Sequence, residues 1–150
     1  LNKVDLSKVT LASEGSFAPG NGWQEVKFNQ PVKARYVGLL AHNAQDEKEI
    51  ASIAELYLLD EDGERLSREP WTVLYADSED TSSKNCTADK VFDLQESTYW
   101  KTERHKPFPH YLIIDLGEVH TLTGAQYLPR MESQAPGSIK DFQILVSEEL

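Results

Sequence analysis

Short apolar stretches separated by turn-forming residues run along the whole chain. The segment WQEVKF at 23–28 alternates apolar and polar residues, and HYLIIDLG at 110–117 is almost continuously apolar, as expected of a central strand. Similar stretches lie at 34–41, 52–60, 71–77, 120–129 and 139–147, with clusters of Gly, Pro, Asn, Asp and Ser between them. This pattern predicts seven or more short strands and an all-β sandwich. The main alternative is a helix over DEKEIASIAEL at 46–56.

Two further local features follow from the same pattern. DEDGER at 60–65 predicts a turn with Asp62 and Gly63 at its hinge. Trp23 and Trp71 lie in predicted strands and are expected in core or edge packing, and Trp100 is expected in the core.

Composition narrows the classes of function. The chain has 150 residues, which suits one domain, and 15 Lys and Arg against 25 Asp and Glu give a formal net charge of -10. Such a chain is not expected to bind nucleic acid or an anionic membrane, because both favour a basic surface. It is compatible with cation binding. No long apolar run and no basic-then-apolar leader is visible. The single Cys86 excludes an intrachain disulfide framework and leaves the cytosol and a bacterial periplasm or surface open.

No sequence motif indicates catalysis. The chain has no Gly-rich phosphate loop, no HExxH and no nucleophile elbow. Acidic residues are plentiful, but nothing specifies the pair of carboxyl groups that a glycosidase needs at a set separation. Cys86 lies in a polar segment with no evident base nearby in the sequence. The sequence therefore predicts a binding protein rather than an enzyme.

Five segments carry a resemblance to a known family. WTVLYADSED, ADKVFDLQESTYWKT, PHYLIIDLG, YLPR and GSIKDFQILVS follow one another over residues 71–147. Together they resemble the discoidin-like, coagulation factor 5/8 type C domains, especially the bacterial family 32 carbohydrate-binding modules. The resemblance implies a discoidin-like (galactose-binding-like) jelly-roll β-sandwich.

The first part of the chain resembles the other half of the same family. ASEGSFAPGNGWQEVKFNQPVKARYVGLLA and ASIAELYLL, within 12–59, are similar to its C-terminal half. We therefore expect a single domain over 1–150 that is circularly permuted, with 1–64 as the family's C-terminal half and 68–150 as its N-terminal half. Relocated termini are tolerated when they lie at exposed loops. The alternative is a junction of two module fragments.

The resemblance also implies a structural Ca²⁺ held by the segment VFDLQESTYWKT at 91–102. Calcium favours a mixture of carboxylate, hydroxyl and carbonyl oxygens. Glu55 interrupts an apolar strand, and a charge there needs a partner. In the alternative, Glu55 points to solvent and Asp93 caps a turn. Leu94 stands where the family usually has glycine. The implied ligands are Lys90, Asp93, Gln95, Thr98, Ala54 and Glu55.

The function implied is that of a non-catalytic carbohydrate-binding module, joined to the catalytic domain of a glycoside hydrolase (hexosaminidase- or chitobiase-like, or another) in the bacterial periplasm, outside the cell or on its surface. The expected ligand is a glycan of galactoside or N-acetylhexosamine type, bound by loops at one end of the sandwich. Polar groups and aromatic faces suit sugars. The alternative is a protein-interaction or adhesion module that binds no sugar. The expected contact residues are Glu79, Arg130, His42, Asn43 and His105.

Overall fold

The computed structural model describes residues 9–18, 22–45, 50–79, 86–93, 98–103, 106–129 and 139–148. One short 3-10 helix, Ala88–Phe92, lies among strands that make up most of this part of the chain. The strands are β1 (Thr10–Ser16), β2 (Gln24–Ala41), β3 (Ser52–Ile53), β4 (Glu55–Leu59), β5 (Thr72–Ala76), β6 (Trp100–Lys101), β7 (His110–Leu128) and β8 (Asp141–Ser147).

All strand pairs in the described residues are antiparallel, and most strands belong to one sheet. Its order is β1-β8-β2-β7-β4, with β5 also paired to β7, while β3 and β6 form a separate pair. Strands β2 and β7 are far longer than expected, because 23–28 and 34–41 belong to one strand and 110–117 and 120–129 to another. The prediction of uniformly short strands is wrong here. Shifts in register between Lys27 and Val32 let the paired strands bend without ending.

The bend folds the sheet onto itself. Gly117 lies within β7 at φ +88, and a Cβ there would meet the Pro70 carbonyl oxygen at 3.4 Å, so glycine suits this position. Beyond the bend, Tyr127 stacks on Phe17 with ring centroids 4.5 Å apart, and Phe17 stacks on Phe142 of β8 at 4.2 Å. The two parts of the sheet thus face each other across one core. The predicted all-β, discoidin-like sandwich is confirmed.

The first and second parts of the chain contribute to the same sheet. Strand β2 pairs with both β7 and β8, and β4 pairs with β7 from Glu55 opposite Leu128 to Leu59 opposite Gly124. The reversed order of the two halves stays a prediction. The alternative of a helix is wrong for residues 50–56, which form β3, the start of β4 and their flanks, and residues 46–49 lie outside the described residues.

The core is built from alternating positions, and the tryptophans divide between core and surface. Trp100 and Trp71 are buried, as predicted. Trp23 precedes β2 and keeps 38% of its surface exposed, so of the expected core or edge packing it has a position outside the core. Among the described residues there is no helix with the length and apolar character to cross a membrane.

The connector between β4 and β5 returns to the sheet after a tight turn. Gly63 has φ +79, and Asp60 Oδ1 accepts hydrogen bonds from the backbone N–H groups of Asp62 and Glu64. This is the turn that the sequence predicts. Leu66 N then donates to Leu58 O at 2.9 Å, which brings the following residues back along β4. The connector thereby carries Arg68 into the interior.

Candidate functional site

Glu55 is a buried carboxylate at the start of β4. The preceding Ala54 donates its N–H to Leu128 O at 2.8 Å, and Glu55 itself lies opposite Leu128 in the ladder. Only 2% of the Glu55 surface is exposed. The alternative in which Glu55 points to solvent is therefore wrong, and its charge must be compensated inside the protein.

Arg68 supplies part of that compensation. Its Nη2 donates to Glu55 Oε1 at 2.9 Å and to the Tyr57 hydroxyl at 2.9 Å. Its Nη1 donates to Val91 O at 2.9 Å and Leu56 O at 3.2 Å, and the guanidinium is itself buried. Sequence reasoning missed this residue because it lies in a polar connector. The sequence did contain one indication: Glu55 is a charge within an apolar strand, and such a charge requires either a metal ion or a basic side chain as its partner.

The other Glu55 oxygen remains uncompensated. Oε2 is buried and finds no hydrogen-bond partner among the residues that the structure describes. Burial raises the pKa of Glu55 to about 7; Arg68 opposes this rise and the neighbouring Asp93 adds to it. Two carboxyl groups therefore approach each other in a poorly solvated place, where like charges repel. A cation between them would compensate both groups.

The other implied calcium ligands lie on the loop beyond the 3-10 helix. Asp93 ends that helix, and its Oδ2 accepts a hydrogen bond from the Thr98 hydroxyl. Lys90 lies within the helix, whereas Gln95 and Leu94 lie outside the described residues. In the described ranges, no group of three or more His, Cys, Asp or Glu side chains gathers. A calcium ion here would need carbonyl and hydroxyl oxygens beside Glu55 and Asp93, which is the mixed set that the resemblance implies.

The loops that the resemblance implies for sugar binding are 40–49, 77–83, 101–110 and 129–137, and contacts connect their described ends and flanking residues. Ala44 forms a β-bridge with Ile139, which joins the loop after β2 to the segment before β8. Thr102 N donates to Ala51 O at 3.0 Å, and Glu103 N donates to the Ser78 hydroxyl at 3.1 Å. These contacts hold the starting points of the loops at neighbouring positions of the sandwich.

Glu79 lies at a loop entrance and contacts the start of the 3-10 helix. Its Oε2 accepts the N–H of Ala88 at 2.7 Å, at the start of the 3-10 helix that ends at Asp93. The adjacent Ser78 carbonyl accepts the indole N–H of Trp100 at 2.9 Å. Glu79 therefore anchors the loop that carries the implied calcium ligands, in addition to any contact that it makes with a sugar.

His42 and Asn43 are both bonded to β8. The Asn43 side chain donates to Asp141 Oδ2 at 2.7 Å and accepts the Asp141 N–H at 2.9 Å. His42 Nε2 lies 3.0 Å from Gln143 Oε1. Hydrogen bonds from Ser16 and Asn43 hold the pKa of Asp141 below its usual value. These contacts fasten the end of β2 to β8, and the predicted contacts of His42 and Asn43 with a sugar stay predictions.

Arg130 and His105 lie outside the described residues. Near the same loops, sequence reasoning missed a buried pair: His110 Nδ1 lies 2.6 Å from Asp77 Oδ2, and Asp77 Oδ1 accepts the Tyr111 N–H at 2.8 Å. The Phe108 ring packs on His110 with centroids 4.6 Å apart. His110 is fully buried, so this pair shapes the base of the loop rather than its surface.

The geometry defines a class of protein: an antiparallel β-sandwich with connecting loops and with a buried carboxylate, Glu55, beside the partly buried Asp93. The model of the F5/8 type C domain family matches residues 74–149, just over half of the chain, and the chain belongs to this family. The predicted family resemblance is confirmed. The matched region contains the loop of Asp93 and Thr98.

A search of known proteins finds the same relationship. The chain is 37% identical over 75 residues to a sialidase from Micromonospora viridifaciens, a match that covers 47% of this chain and 11% of that protein. The chain thus corresponds to a small part of its relative's length. The F5/8 type C domain is a non-catalytic accessory type of domain, and it also occurs in this sialidase.

Proposed function

We propose that this chain is a carbohydrate-binding module of a glycoside hydrolase, which binds glycan through the loops at one end of the sandwich. The observation that carries the proposal is the family match over 74–149, together with the similarity to a part of a sialidase. A tethered binding domain raises the effective concentration of substrate at a catalytic domain. A place in the periplasm, outside the cell or on its surface belongs to the same proposal, because a glycan-degrading enzyme meets its substrates there.

A structural Ca²⁺ is the second part of the proposal. Glu55 Oε2, Asp93 and Thr98 would hold it, with carbonyl oxygens near Ala54, Lys90 and Gln95 completing the set. The support is the unpartnered buried oxygen of Glu55 and the raised pKa of that carboxyl beside Asp93. When bound, the ion would supply positive charge to two carboxylates and so fix the loop after the 3-10 helix against β4.

The glycan is the part to be tested first. The chain should be applied to an array of galactosides, N-acetylhexosamines and fucosides, and hits should be measured by calorimetry. We expect binding to a galactoside or N-acetylhexosamine. Arg130→Ala should abolish this binding without lowering the melting temperature, whereas Lys33→Ala, which removes an exposed charge from β2, should leave it unchanged.

Two outcomes would contradict the proposal. Absence of binding across all three sugar classes would favour the protein-interaction or adhesion module. A hit that survives Arg130→Ala would remove Arg130 from the site. Calcium is tested separately, by melting the metal-free and the calcium-saturated protein: equal midpoints would reject the ion, because a ligand bound only by the folded state must raise the midpoint.

A further inference from the structure

A cluster of aromatic and basic side chains lies on the sheet surface, where Gln24 and Tyr57 pair with Tyr127 and Gln126 of β7. Trp23 and Tyr57 have ring centroids 5.7 Å apart with an interplanar angle of 43°. The guanidinium carbon of Arg65 lies 3.9 Å from the Tyr57 centroid and 4.8 Å from the Trp23 centroid. We call Trp23, Tyr57 and Arg65 the aromatic platform. Both rings hold the guanidinium in place through cation–π contacts.

Arg65 is fixed but not ion-paired. Its Nε donates to Gln126 Oε1 at 2.7 Å, and the Gln126 amide donates to Glu25 Oε1 at 2.9 Å. Of the arginines that the structure describes, Arg35 is paired with Asp115 and Arg68 with Glu55, whereas Arg65 has no carboxylate within salt-bridge distance in the described residues. In a chain of net charge -10 this is unexpected. The exposed guanidinium thus retains donors for a planar anion, and those donors are already oriented.

Tyr57 links the platform to the buried carboxylates. Arg68 lies 3.8 Å from the Tyr57 centroid, and Arg65 lies 3.9 Å from it. Two guanidinium groups this close to one ring occupy its two faces. The inner one is neutralised by Glu55 at 2.9 Å. The outer one has no carboxylate partner in the described residues, so it is able to bind an anion from outside the protein.

The neighbouring indole specifies the kind of anion. Trp23 is 38% exposed and offers an aromatic face, on which the C–H surface of a pyranose packs. A carboxylated sugar carries a carboxylate and a C–H face on one ring. The platform offers a partner for each, because the guanidinium carbon of Arg65 lies 4.8 Å from the centroid of the Trp23 ring. An Asp or Glu side chain of a protein supplies the carboxylate but no such face. Arginine binds carboxylates with two parallel hydrogen bonds.

We propose that the aromatic platform is a second binding site, specific for a carboxylated sugar residue of a glycan. None of its residues belongs to the candidate loops, so the site stands independently of the proposed glycan site. Trp23 and the indole-stacked Arg65 determine specificity, and Tyr57 positions Arg65.

Tryptophan fluorescence tests the proposal, because Trp71 and Trp100 are 4% and 1% exposed and only Trp23 is accessible to a quencher. The probe is glucuronic acid, and its methyl ester is the neutral match. We expect the acid to protect Trp23 from acrylamide, and the ester to bind roughly tenfold more weakly, since hydrogen bonds to a charged group contribute about 1.5–3 kcal/mol. Trp23→Phe should remove the quenchable signal.

The variants separate this site from the loops. Arg65→Gln should abolish protection with an unchanged melting temperature, and Arg65→Lys should lower affinity because it loses the planar pair of donors. Lys33→Gln also removes one positive charge, but from β2, and should leave the protection of Trp23 unchanged. Glu79→Gln at the loops should leave it unchanged as well. Equal binding of acid and ester, protection that survives Arg65→Gln, or equal protection by an acidic peptide would each overturn the proposal. Failure of the sugar array alone would not affect it.

Discussion

The stability of the metal-free protein should depend on pH through one buried carboxyl. Glu55 has its pKa raised from 4.5 to about 7, chiefly by burial. A folded-state pKa above the unfolded one means that folding favours the protonated form. The protonated Glu55 carboxyl therefore stabilises the folded protein fully below about pH 4.5, and this stabilisation is lost as the pH rises through about 7. The shift corresponds to about 3 kcal/mol, at about 1.4 kcal/mol for each unit of pKa.

The assay is urea unfolding at steps between pH 4.5 and 8. Protein freed of metal by dialysis should lose about 3 kcal/mol of unfolding free energy across this window. Protein saturated with calcium should lose much less, because the ion would replace the proton as partner of the second carboxylate oxygen. Because dialysis has already removed the metal, no chelator has to be added to the acid samples, in which chelators bind calcium weakly.

Glu55→Gln is the matched control. Its amide keeps the shape of the side chain and an oxygen that accepts from Arg68, but it cannot titrate. The variant should lack the step in the metal-free protein and should gain little from calcium. A wild-type protein with equal unfolding free energies at pH 5 and pH 8, or a Glu55→Gln variant with the same step as the wild type, would refute the reasoning.

Substitutions at three further residues test other features of the structure. Arg68→Met leaves the Glu55 charge without its partner, so it should lower the unfolding free energy by about 3–5 kcal/mol at pH 7.5, and a urea-measured loss under about 1 kcal/mol would contradict a buried ion pair. Tyr127→Phe removes a buried hydroxyl that bonds two main-chain groups and should destabilise by about 1–3 kcal/mol in the same assay, with an unchanged value arguing against those bonds. Glu79→Gln keeps an acceptor for the start of the 3-10 helix, so it should weaken glycan binding at an unchanged melting temperature. Glu79→Ala should lower both the glycan affinity and the melting temperature. Equal glycan binding by the wild type and the two variants would place Glu79 outside the sugar site.

The class of fold could be predicted from the sequence because period-two alternation survives in single strands. Residues 110–117 are informative in another way, because a nearly continuous apolar run predicts a central strand, and β7 lies between β2 on one side and β4 and β5 on the other. The length of β7 could not be predicted. A glycine inside an extended segment reads as a strand end, whereas Gly117 bends the strand without ending it.

The candidate site could be predicted only in part, for a similar reason. Because Glu55 is a carboxylate within an apolar strand, the sequence predicts that it needs a cation, but it does not identify that cation. Arg68 is 13 residues away in a connector with no periodicity, and its approach depends on how that connector returns to the sheet. The platform of Trp23 and Arg65 was missed because alternation leaves core and edge positions open for Trp23, and its exposure depends on neighbours that the local pattern does not contain.

The position of β7 has a consequence for how the molecule opens. Its backbone is hydrogen-bonded to β2 along one edge and to β5 and β4 along the other. Two segments of β7, 112–115 and 124–127, have partner strands on both sides, and their amide protons are released to solvent only when those strands separate. Deuterium should therefore enter strands with a single partner, such as β1, before it enters these two segments of β7, which should exchange last, at the rate of global unfolding.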